Sequence, residues 1–176
     1  WPNIRKKLPE AEIHIFGAYN PEAIKQLESK KIGFLVKGWI SNKQEAYTSY
    51  RLCLAPLRFG AGQKGKLLDA MQFGTPSITT SVGAEGLSDQ KKWNGFIASN
   101  NSEFIEKAIL LYSDEQIWKD SQNQGVKILE ENFNKKTFEE SFLMALDQLK
   151  QGFEEQRKTN FIGSMLMHHT LQSTKY

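Results

Sequence analysis

Between Glu12 and Ser99, short β-branched and aromatic runs alternate with short helical patterns, and that alternation leaves few folds open. The run E-I-H-I-F, Glu12 to Phe16, ends at Gly17 and reads as a strand entering a turn. Asn20 and Pro21 suit the cap and first turn of a helix through Leu27. A second strand follows in I-G-F-L-V-K-G, then a short helix from Asn42 to Tyr50, then a third strand in R-L-C-L-A-P-L. The next helix, from about Gly65 to Phe73, carries Leu67, Leu68 and Met71 on one face and stops at Gly74-Thr75-Pro76. S-I-T-T is a fourth strand and G-F-I-A-S a weaker fifth. Strands separated by helices pair in parallel, because each crossover returns the chain to the same edge of the sheet. The class expected is therefore α/β.

Beyond Asn100 the pattern turns helical. Asn100 with Glu103, and Ser113 with Gln116, have capping-box spacing, and apolar positions recur every three or four residues to Phe133. A further helix starts near Lys135 and carries Phe138, Phe142, Leu146 and Leu149. The division expected is one domain over residues 1–150 and a tail or helix over 151–176, whose apolar stretch F-I-G-S-M-L-M-H-H needs another surface to pack on. A length of 176 residues with 39% hydrophobic content supports one main core. Charge is nearly balanced, 23 basic against 20 acidic residues, which argues against nucleic acid as a partner. Cys53 is alone in an apolar run, so no disulfide framework or cysteine metal site can form, and a reducing cytoplasm fits. No stretch approaches the roughly 20 apolar residues of a membrane span, and no signal peptide is visible. The chain opens on Trp1, as an excised fragment would.

In an open parallel sheet, ligands bind beyond the carboxyl ends of the strands. Gly17-Ala18-Tyr19, Gly38-Trp39-Ile40-Ser41, the loop R-F-G-A-G-Q-K-G-K and Val82-Gly83-Ala84-Glu85-Gly86 all fall on that edge. The third is the best anion site. Glycines let backbone N–H groups approach an oxyanion, the helix behind presents its positive end, and Lys64 and Lys66 add charge. The same residues also suit a tight strand-to-helix turn with solvated lysines, so their chemistry alone leaves both readings open. His14 lies within a strand and is expected to be a satisfied side chain. His168 and His169 are adjacent and cannot aim at one ion from a helix or strand, so no metal site is expected.

The run P-L-R-F-G-A-G-Q-K-G-K-L-L-D-A-M-Q-F-G-T-P-S-I-T-T-S-V-G-A-E-G-L resembles the donor-binding half of group 1 glycosyltransferases, a family built of two facing Rossmann-like domains. W-P-N-I-R-K-K-L-P-E-A-E-I-H-I-F-G, V-K-G-W-I-S-N-K-Q-E-A-Y and W-N-G-F-I-A-S-N-N-S-E-F resemble further parts of that half, in the same order, so the resemblance spans roughly residues 1–149. It implies a Rossmann-like three-layer αβα domain with a parallel sheet of about five to six strands and a helical C-terminal region, one half of a GT-B fold. In that family the helix after the third strand usually carries two glutamates eight positions apart, the second holding the ribose and the first touching the donor sugar. Asp69 matches the second position, and Ala61 stands at the first. The pattern G-x-G-x-K-x-K belongs to a looser subgroup, in which Lys64 faces the diphosphate. The resemblance thus implies nucleotide and phosphate contacts at Gly17, Gly60, Gly62, Gln63, Lys64 and Asp69, with Trp39 and Ile40 framing the base. Glu85, one loop further along, is a weak candidate for the missing carboxylate.

The activity implied is transfer of a hexose-like sugar from a nucleotide diphosphate-sugar to an acceptor hydroxyl, with retention, in bacterial polysaccharide biosynthesis. No metal or other cofactor is expected. The acceptor-binding half, which normally precedes this one, is not in the chain, so the chain alone is expected to be inactive. The tail from Phe153 is expected to cross onto that half, or to touch the cytoplasmic face of a membrane peripherally. Two other classes stay open: a non-catalytic nucleotide-binding module, and a protein- or membrane-interaction module using Phe161 to Leu166.

Overall fold

The computed structural model describes residues 1–87 and 92–173, with side chains through His168. Unit one, Trp1–Phe133, opens with helix α1 (Pro2–Lys7), which has Pro2 at its first position where the missing N–H costs nothing. Strand β1 (Ile13–Phe16), helix α2 (Glu22–Lys25), a 3₁₀ turn (Lys30–Ile32) and strand β2 (Phe34–Gly38) follow. Next come α3 (Lys43–Thr48), β3 (Cys53–Ala55), α4 (Gly65–Gln72), β4 (Ser77–Thr80), a single turn α5 (Ser81–Ala84) and β5 (Gly95–Ala98). Helices α6 (Asn101–Ser113) and α7 (Glu115–Asn132) complete the unit. Every strand pairing is parallel, so the architecture is α/β.

Alternation along the strands sorts side chains into two cores. Leu54, Ile78 and Phe96 pack with Ile4, Ala108 and Leu111 on the α1 and α6 side. Ala55 and Ile97 pack with Leu67, Met71, Leu87 and Ile128 on the α4 and α7 side. The buried Ser77 and Asn94 between these layers satisfy one another and the backbone. Buried Ser77 donates from Oγ to Asn94 Oδ1 at 2.6 Å, and Asn94 Nδ2 donates to Thr75 O at 3.2 Å.

The five strands expected are present, but they form a two-stranded sheet, β1-β2, and a three-stranded sheet, β3-β4-β5, instead of one continuous sheet. Ile13 and Gly17 donate towards β2, and Cys53 donates to Pro76. The peptide groups of His14, Phe16, Leu52 and Leu54 therefore face away from those ladders, and among the described residues no backbone bond joins β1 to β3. Side chains occupy the interval. The Tyr50 ring stands edge-on to His14 and Phe16, with centroids 5.2 and 5.6 Å away.

Asn100 caps α6 as its spacing implies, accepting from Glu103 N at 2.9 Å while Ser99 N donates back to Glu103. The next cap is Asp114, not Ser113: Ser113 ends α6, and Asp114 Oδ1 accepts from Ile117 N at 2.9 Å. Unit two, Asn134–Tyr176, contains α8 (Lys135–Thr159) and α9 (Phe161–Ser173). Residue 150 thus lies inside α8, and the division between compact units falls at 133/134. Phe138, Phe142, Leu146, Leu149 and Phe153 on α8 are exposed, as are Phe161, Ile162, Met165 and Leu166 on α9. No described helix is long and apolar enough to cross a membrane.

Candidate functional site

Helix α3 is anchored first at its start, where Asn42 Oδ1 accepts from Glu45 N at 3.3 Å. Lys43 and Tyr47 lie one turn apart on the same face. Tyr47 fastens that face to α4: its hydroxyl donates to Lys66 O at 2.9 Å, its ring stacks on Phe73, and its own carbonyl accepts from Thr75 Oγ1 at 2.8 Å. Burial pushes the Tyr47 phenol well above its usual range, and the neighbouring Cys53 and Asp69 add to the shift, so the hydroxyl remains a donor. With α3 fixed in this way, Lys43 Nζ meets Asp69 Oδ2 at 3.0 Å. Lys43 and Tyr47 escaped the sequence reading. The available signal was their one-turn spacing on a capped helix at the ligand-binding edge.

A cavity of about 670 Å³ opens between the two sheets. Gly17, Trp39, Ile40, Lys43, Lys66 and Asp69 line it together with apolar residues of β1, β3 and α1. Four expected site residues, Gly17, Trp39, Ile40 and Asp69, therefore share one concavity. Trp39 is 71% exposed, so its indole face is open to a planar group. Gly17 is held by two bonds, donating to Gly38 O at 2.7 Å and accepting from Asn20 Nδ2 at 3.0 Å.

Gly60, Gly62, Gln63 and Lys64 form a second group on the loop that leads into α4. Gly62 has φ +70°, a conformation that favours glycine. The side chain of Lys64 folds beneath the loop, where a Cβ on Gly60 would lie 3.9 Å from its Cε. Its ammonium is buried, 6% exposed at the side chain, and its one counter-charge among the described residues is Glu85 Oε2 at 4.0 Å. No side chain caps α4 at Lys64, so the positive end of an eight-residue helix stands beside that ammonium. Gln63 and Ala61 are exposed. Asp69 lies five residues along α4 from Lys64, which links the loop group to the cavity group.

The remaining candidates are satisfied or inert. His14 is bonded through Nδ1 to the Tyr50 hydroxyl and through Nε2 to Glu12 at 3.0 Å. Burial pushes the Cys53 thiol up to about 11, which keeps it unreactive near neutrality. Among the described residues, no group of three or more His, Cys, Asp or Glu side chains is placed to hold a metal, and the His169 side chain lies outside them.

The sequence profile of the family described as Glycosyl transferases group 1 matches residues 1–114. No curated protein matches the chain. Among solved structures, a mutant of S. aureus TarM in complex with Fondaparinux, alpha-GlcNAc-glycerol and UDP aligns over 81% of this chain with TM-score 0.68 and 18% identity. The pneumococcal O-GlcNAc transferase GtfA, in complex with UDP and GlcNAc, aligns over 83% with TM-score 0.65 and 20% identity. The chain spans only 30% and 31% of the length of those two proteins.

Proposed function

Because the chain belongs to the group 1 glycosyl transferases, we propose that unit one is the donor-binding half of an enzyme that moves a sugar from a nucleotide diphosphate-sugar to an acceptor hydroxyl. The observation that carries this reading is the buried Lys64 ammonium, set at the uncapped amino end of α4 with, among the described residues, only the Glu85 carboxylate at 4.0 Å as counter-charge. A buried cation without a close hydrogen-bonded anion is costly, and a diphosphate oxygen would supply one. In this reading Gly60, Gly62 and Gln63 shape the cradle and Lys64 neutralises the diphosphate. Asp69 accepts from the ribose hydroxyls after exchanging Lys43, while Trp39 and Ile40 frame the base and Gly17 lets the donor approach closely.

The arrangement fits half of a two-walled cleft. An oxocarbenium-like transition state needs a closed, water-poor site, and one wall cannot exclude water. Transfer, with retention, therefore requires an acceptor-binding half beyond this chain. The exposed stripe from Phe138 to Phe153 on α8 suits a protein partner better than an anionic membrane, since that helix carries as many acidic as basic residues. UDP in complexes of two structural neighbours makes it the first nucleotide to try.

Calorimetric titration of the chain with UDP, GDP and ADP at millimolar concentration tests the reading. Weak, saturable binding with one preferred base is expected, and no sugar transfer by the chain alone. Absence of heat and of amide chemical-shift changes with all three nucleotides would refute the donor site.

A further inference from the structure

Resting on that donor-site reading, we propose that Glu85 reads the donor sugar, accepting hydrogen bonds from its hydroxyls in place of a carboxylate at position 61. Ala61 offers only a methyl group there. Any acidic contact to the sugar must come from elsewhere along the same edge, and three features of the loop after β4 bring Glu85 to it.

The backbone of that loop is fixed. Thr80 Oγ1 accepts from Gly83 N at 3.3 Å and donates to Leu57 O at 2.6 Å, tying α5 to the start of the glycine loop. A Cβ at Gly83 would fall 1.9 Å from Thr79 Oγ1, so glycine alone allows so close an approach. Ala84 and Leu87 are buried on either side, which leaves the Glu85 side chain, 72% exposed, as the free element of the turn.

The carboxylate also lies beside the lysine that runs under the glycine loop. Glu85 Oε2 lies 4.0 Å from Lys64 Nζ, and the Lys64 side chain passes under Gly60, the neighbour of Ala61. A separation of 4.0 Å is an ion pair and not a hydrogen bond, so the carboxylate lone pairs remain available to donors.

The charges select the ligand. Beside a cation that holds phosphate, a second anion would be repelled by the ligand's own charge unless a donor group lay between them. Sugar hydroxyls are such donors, and the ring that carries them is bonded to the diphosphate through its anomeric carbon. The competing role, a counter-charge that only neutralises Lys64 in the free chain, predicts a different pattern: removing Glu85 would then strengthen binding of bare nucleotide and sugar conjugate alike, leaving their ratio unchanged.

The experiment compares affinities for the preferred nucleotide and for its glucose, galactose and N-acetylglucosamine conjugates in the unchanged chain, Glu85→Ala and Glu85→Gln. The unchanged chain should bind one conjugate roughly three- to tenfold more tightly than the bare nucleotide, the range of one net hydrogen bond. Glu85→Ala should reduce that ratio to about one, leaving bare-nucleotide affinity equal or higher, and Glu85→Gln should keep part of it because the amide oxygen still accepts. A ratio that survives in Glu85→Ala, or a chain that binds nucleotide with no preference for any conjugate, overturns the assignment of Glu85 and leaves the donor site standing. A chain that binds no nucleotide overturns both.

Discussion

Lys64→Met removes the ammonium while keeping a flexible side chain of similar length in the same buried slot. The side chain makes no capping bond, so the start of α4 is untouched. The Lys64–Glu85 separation of 4.0 Å corresponds to about 4 kcal/mol of gross attraction at an effective dielectric near 20. With Glu85 mostly in solvent, screening reduces that to about 1 kcal/mol or less, against a desolvation cost of several kcal/mol for the buried ammonium. Breaking the pair leaves no buried charge behind, because the orphaned partner is the exposed one. Folding stability should therefore hold or rise, by up to roughly 4 °C in thermal midpoint for a unit of this size. Nucleotide diphosphate affinity should fall by about 1.5–3 kcal/mol, or about 10- to 150-fold, as for a lost charge-assisted bond. Calorimetry with UDP and thermal melts by circular dichroism read the two effects separately. Unchanged affinity in a folded variant would refute the cradle. A thermal midpoint lowered by more than about 5 °C would show that Lys64 is a structural tie.

Asp69→Asn should lower the preference for ribonucleotide over 2′-deoxyribonucleotide with the fold intact by circular dichroism; an unchanged preference would remove Asp69 from the ribose site. Glu103, bonded to Lys107 and to Ser99 N, has its carboxyl pulled from 4.5 down to about 2. A depressed carboxylate stabilises the fold above its unfolded value and loses that contribution as pH falls through the folded value. The stability gap between the natural chain and Glu103→Gln, measured by denaturant melts, should thus be widest above pH 4.5 and shrink towards pH 2; a gap independent of pH would contradict the pairing. Amide exchange followed by NMR should be faster at His14, Phe16 and Leu54 than at Ile15 and Ala55, because only the amides of the latter two point into their ladders. Equal protection would mean that β1 and β3 pair in solution.

The strands and most helix starts were legible because their determinants are local. Asn42 and Asn100 each sit three residues before the N–H they cap, and the runs around β1, β2 and β4 alternate with turn residues. Ser113 misled because Asp114, next to it, also offers a capping oxygen and stands three residues before Ile117, whose N–H it accepts. The boundary expected at 150/151 lies inside α8, which runs on through Gly152 without a break. One interior glycine costs about 1 kcal/mol, and flanking residues of high helix propensity, such as Gln151, Glu154, Glu155 and Gln156, offset it. The split between the sheets was not legible at all, since it depends on how Tyr50 meets His14 and Phe16 across more than thirty residues of chain.

The same distinction governs the site. Asp69 could be placed by counting along α4, but its partner Lys43 is 26 residues earlier and reaches it only because Tyr47 docks α3 on α4. That docking makes the pair a bridge between the two sheets: Gly17, Trp39 and Lys43 follow β1 and β2, whereas Lys64, Asp69 and Glu85 follow β3 and β4. Lys43 is largely exposed, so the bridge contributes about 1 kcal/mol or less and is cheap to exchange. A ribose that takes the Asp69 carboxylate therefore has little to displace, and the freed Lys43 ammonium remains in the cavity lining, one of the two lysines there with Lys66, to meet the ligand's negative charge.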